Sequence, residues 1–74
     1  MKTYITLIFN SDGSLPSEIR NHLLNLGFKA TKGNYDFVYE WGNNPASIED
    51  LIWFADKVHT TLKNCKVNFT IESI

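Results

Sequence analysis

A single cysteine, Cys65, excludes an internal disulfide. No Cys and His spacing of the zinc type accompanies it, so neither a covalent nor a metal staple is expected, no cofactor motif stands out, and a reducing, cytoplasmic setting fits best. Charge of one sign is lacking too: seven Lys and Arg stand against eight Asp and Glu, for a formal net charge of −1. Without the basic excess that phosphate backbones attract, nucleic-acid binding is disfavoured. No apolar run approaches the ~18 residues of a membrane span, and Ile5 to Phe9, behind Met1 and Lys2, is too short and too alternating for a signal peptide. A soluble protein with no membrane partner is expected. The glycosylation sequon Asn68, Phe69 and Thr70 therefore reads as coincidence inside a strand.

The 74 residues allow one domain, residues 1–74. A chain this short buries only about 60 to 65% of the surface its unfolded form exposes. One core of that size rarely contributes more than roughly 3 to 5 kcal/mol without a disulfide, a metal or a partner subunit, which favours oligomerisation.

From Tyr35 to Trp41 every second residue is aromatic: Tyr35, Phe37, Tyr39 and Trp41 share one parity, and Asp36, Val38 and Glu40 the other. That is a strand with one apolar side. Phe28 to Lys32 precedes it, joined through Gly33 and Asn34, so the two runs read as a β-hairpin with a tight turn. A first strand spans about Thr3 to Asn10, with Ile5, Leu7 and Phe9 toward the core. The loop Asn10 to Ser14 is dense in turn-formers, and Pro16 and Glu18 mark a helix start. That helix buries Leu15, Ile19, Leu23 and Leu26 and stops at Gly27. Gly42, Asn43, Asn44, Pro45 and Ala46 form a second loop. Ser47 and Asp50 make a capping box for a helix from Ile48, whose inner stripe is Leu51, Phe54, Ala55, Val58 and Leu62. Lys66 to Ile74 is the last strand, with Val67, Phe69 and Ile71 on its covered side.

Strand, helix, strand, strand, helix, strand is the order of the ferredoxin-like α+β fold, βαββαβ, in which two helices cover one face of a four-stranded antiparallel sheet. An irregular α+β sandwich, with Phe28 to Lys32 a loop, is the rival. RNA-recognition domains of the same topology stack bases on their open sheet face. Lys32, Gly33, Tyr35, Phe37 and Val38 are similar to their Lys-Gly-aromatic opening, with Asn34 interrupting it. Period two, however, puts the aromatic row under the helices and leaves Asp36, Glu40 and Glu72 on the open face, where they would repel phosphates.

Asp12, Gly13, Leu15, Ile19, Leu23 and Gly27, with Phe28 opening the next strand, resemble the first half of an ACT regulatory domain, over residues 1–30 only. The resemblance implies amino-acid or other small-metabolite binding at a subunit interface, with Asp12 and Gly13 as ligand-loop residues.

Catalytic constellations are absent from the spacing. His22, His59 and Cys65 are not brought together by any motif, and Asp36 with Glu40, on one strand face, has no evident substrate pocket. At 100° per residue Trp53 lies about 200° from Leu51, beside Lys57 and away from the sheet. Leu24 is also well off its stripe, and Ile52 lies at the shoulder of the second helix's stripe. Such groups mark a partner surface, unless Trp53 only stacks on Lys57. The chain therefore reads as a small non-enzymatic binding module, homo-oligomeric or accessory to a protein partner. Its contact surfaces would be Trp53 and Lys57 on the second helix, and Tyr4, Thr6, Ile8 and Val38 on the open sheet face. Two strand edges also remain for pairing between copies. An ACT-like sensor is the alternative, and a weak nucleic-acid binder using Lys29, Lys32, Lys63 and Lys66 the third reading.

Overall fold

The computed structural model describes residues 1–43 and 46–74; Asn44 and Pro45, part of the second expected loop, lie outside the described residues. The elements follow in the order β1 (Lys2–Phe9), α1 (Pro16–Asn25), β2 (Lys29–Ala30), β3 (Phe37–Glu40), α2 (Ile48–Leu62) and β4 (Val67–Ser73). The strands form one antiparallel sheet in the order β2-β3-β1-β4. Among the described residues, two helices and four antiparallel strands thus make an α+β arrangement.

Alternation in β1 sets the layers. Thr3, Ile5 and Leu7 are buried, and Ile5 and Leu7 share one cluster with Ile19 and Leu23 of α1 and with Phe54, Val58 and Leu62 of α2. Burial of each such aliphatic or aromatic side chain contributes on the order of 1.5 to 3 kcal/mol, which drives the helices onto this parity of the strands. Phe54 is the hub of the aromatic part, with its ring centroid 5.4 Å from Phe28, 4.4 Å from Tyr39 and 5.3 Å from Trp41. Thr3 is the polar member of the core. Its hydroxyl accepts the Trp41 indole N–H at 2.8 Å and lies 2.8 Å from the Ser73 hydroxyl, so the polar atoms enter the core already paired.

Helix ends follow local chemistry. Gly27, at φ 102°, closes α1: its amide donates to the Leu24 carbonyl and the Phe28 amide to that of Leu23, the pattern of a left-handed glycine stop. The turn also delivers Phe28 into the core. Leu15 was expected in the α1 stripe; it is the N-cap instead and is exposed, because it precedes the first helical turn and has not yet reached the sheet.

Three expectations about the strands need correction. Phe9 is 45% exposed where it was expected in the core, since β1 runs on past the last buried row at Leu7 to pair with Val67. The strand expected over 28–32 is only Lys29–Ala30. Its pairs, Lys29 with Val38 and Ala30 with Phe37, keep the register of a turn at Gly33 and Asn34, but pairing ends with the Thr31 amide on the Asp36 carbonyl. Residues 29–34 are polar or small and offer an edge strand little to bury, so the tip opens.

The third correction concerns Tyr35. Phe37, Tyr39 and Trp41 pack with the core, but Tyr35 does not join them; its ring stacks on Tyr4, across the sheet. The cause is Asp36. Its amide donates to the Ile5 carbonyl, and its side-chain carboxylate accepts the Leu7 amide at 2.7 Å. A side chain thus takes the place of the next backbone acceptor, the regular ladder ends, and the alternation that would have sent Tyr35 inward is reset.

Candidate functional site

Ser47 starts α2 by accepting the Asp50 amide on its hydroxyl, while the Asp50 carboxylate accepts the Ser47 amide, both at 3.1 Å. With that phase fixed, Phe54, Val58 and Leu62 point inward and Trp53 outward. Trp53 is 60% exposed although the Lys57 ammonium sits 5.1 Å from its ring centroid, so cation–π contact covers only part of it. Asp56 and Thr60 complete a shallow groove of about 270 Å³ around the pair. Ile48 and Ile52, one turn apart, are 73% and 57% exposed. They occupy the shoulder opposite Phe54. Because Phe54 meets Phe28, Tyr39 and Trp41, that shoulder lies on the β4 side of the helix.

Tyr4, Thr6, Ile8 and Val38 share the open face, where register sets Tyr4 beside Val38 and Glu72, Thr6 beside Thr70 and Ile8 beside Asn68. Tyr35 joins them. Its ring centroid is 4.4 Å from that of Tyr4, and its hydroxyl donates to the Glu72 carboxylate. That hydrogen bond to a carboxylate, with the repulsion a phenolate would meet there, raises Tyr35 above the ordinary tyrosine value of 10.0. The three carboxylates expected to lie bare are all engaged: Asp36 by the Leu7 amide, Glu40 by Lys2 at 3.6 Å, and Glu72 by Tyr35. Asp36 and Glu40 thus each have a different partner. Tyr35 is a site residue that period two hides, and the sequence marks it only through Asp36, a residue whose short side chain competes for backbone donors.

The Asp12 and Gly13 loop is braced against the turn after α2. Asn10 donates its side-chain amide to the Lys66 carbonyl, the Ser14 amide donates to the Cys65 carbonyl at 3.0 Å, and Asp12 pairs with Lys66 at 3.7 Å. A Cβ on Gly13 would stand 2.6 Å from the Cys65 carbonyl oxygen and 2.8 Å from that of Lys66. Only glycine permits this approach without movement. Gly13 donates its own amide to Asn10.

Other candidates are dispersed. His22 and His59 are exposed on separate helices, and Cys65 is a buried free thiol. Lys29, Lys32, Lys63 and Lys66 are exposed, with Lys66 committed to Asp12. Among the described residues no group of His, Cys, Asp and Glu could hold a metal ion, and no helix is long and apolar enough to cross a membrane. No protein-family model matches the chain, and neither do any curated protein and any solved structure.

Proposed function

We propose that this chain is a small, non-enzymatic, cytoplasmic binding module of ferredoxin-like architecture that works through protein contact, with a second copy of itself or with a protein partner. Support for the fold comes from the element order together with the strand order β2-β3-β1-β4. The observation that carries the function is the outer side of α2. Trp53, Ile48 and Ile52 stay exposed on a helix whose inward stripe is already filled, and burying each against a partner would contribute on the order of 1.5 to 3 kcal/mol. Trp53 and Lys57 form one contact surface. Tyr4, Thr6, Ile8 and Val38 form another, on the open sheet face.

The ACT-like sensor draws little support from its loop, where the Gly13 and Ser14 amides already serve acceptors within the chain. Nucleic-acid binding draws little from the Tyr4 and Tyr35 pair, whose rings stack on each other next to Glu72. Sedimentation velocity tests the self-association part of the reading. A mass above that of one 8.5 kDa chain supports it, and a strict monomer at hundreds of micromolar overturns it.

A further inference from the structure

We propose that the outer edge of β4 pairs antiparallel with the same edge of a second copy, about a two-fold axis at Thr70. The proposal rests on the self-association reading above and names its surface.

Backbone direction shows which groups of β4 face away from the sheet. Lys2 and Ile74 exchange both amide-to-carbonyl bonds, at 3.0 and 2.9 Å, so alternation turns the peptide groups of Asn68, Thr70 and Glu72 toward β1. Those of Val67, Phe69, Ile71 and Ser73 point the other way, off the sheet, because β4 is its last strand.

The two edges differ in protection. At one side β2 is two residues long, begins with Lys29 and is followed by Lys32, so it offers little to a foreign strand. At the other, β4 runs seven residues, VNFTIES, with no proline, no lysine and Glu72 as its one charge. Proteins usually guard an edge of that length.

Self-complementarity then selects the occupant and the register. A two-fold at Thr70 sets Phe69 opposite the second copy's Ile71, and Val67 opposite its Ser73, so every outward peptide group finds a partner. On the open face Thr70 meets Thr70, a favourable cross-strand pair, and Glu72 meets Asn68 and not another carboxylate. Moving the axis to Ile71 leaves Val67 unpaired, and moving it to Glu72 sets like charges face to face. The apolar rim fits as well: Val67, Phe69 and Ile71 are half-buried on the helix side, and Ile48 and Ile52 are exposed on the shoulder of α2 that overlooks this edge.

Cysteine cross-linking tests the register. In a two-fold at Thr70 the two Thr70 Cα atoms form a non-hydrogen-bonded pair about 4.5 Å apart, within the roughly 4.4 to 6.8 Å span of a disulfide. The two Asn68 positions would be roughly 13 Å apart, four residues along the strand. Under oxidised glutathione Thr70→Cys should double its mass on a non-reducing gel, whereas Asn68→Cys and Glu72→Cys should each stay single and cross-link only when mixed. The native chain, its Cys65 buried, is the control. A native chain that associates while Thr70→Cys stays uncross-linked overturns the β4 edge but keeps the binding module. A monomeric native chain overturns self-association itself.

Discussion

Replacing Asp36 by alanine should cost stability out of proportion to its exposure. Its carboxylate accepts the amide of Leu7, a buried residue, at the point where the β1 and β3 ladder has run out. Hydrogen bonds to charged groups contribute about 1.5 to 3 kcal/mol, and discounting for a solvent-exposed carboxylate leaves about 1 to 2 kcal/mol. Against a total of roughly 3 to 5 kcal/mol for a domain this small, that is a large fraction. With a urea slope of about 1 kcal/mol per molar, the unfolding midpoint by circular dichroism should fall by about 1 to 2 M in Asp36→Ala. Asp36→Asn keeps a neutral acceptor and should lose about half as much. An alanine variant whose midpoint matches the native one would refute the argument that this side chain completes the ladder.

Gly13→Ala should lower the same midpoint, because the new methyl group meets two backbone carbonyls that cannot rotate away; overpacking of this kind costs about 1 to 3 kcal/mol, and an unchanged midpoint would show that the loop is free to move. Phe54→Ala removes the hub of the aromatic cluster at a cost of about 3 to 5 kcal/mol, comparable to the whole stability, so its far-UV spectrum at 25 °C should be that of an unfolded chain while Phe54→Leu stays folded. In an ultraviolet pH titration one of the three tyrosines, Tyr35, should ionise above the ordinary range, and Glu72→Gln should bring it down. Since its value is raised in the folded chain, the stabilisation from this contact is complete below pH 10.0 and is lost as pH rises through the folded value; in Glu72→Gln that alkaline loss should shrink.

What the residues announce depends on how local the cause is. The Ser47 and Asp50 capping box and the Gly27 stop involve neighbours in the chain, and both stand as expected. Helical angle alone places Trp53 outward, which works because the capping box fixes the phase of α2. Period two misplaces Tyr35 because it presumes an unbroken ladder, and Asp36 interrupts it by bonding Leu7, twenty-nine residues away in the chain. Phe9 has the right parity for the core but lies beyond the rows that the helices cover. Gly13 read as an ordinary turn residue or a ligand-loop residue, since its need for glycine arises from Cys65 and Lys66, far along the chain. Non-local contacts of this kind leave no mark in spacing.

Sedimentation equilibrium of the native chain decides whether two copies pair. Pairing between copies requires a concentration-dependent rise in mass toward about twice 8.5 kDa, and a mass that holds at that of one chain up to hundreds of micromolar would rule it out.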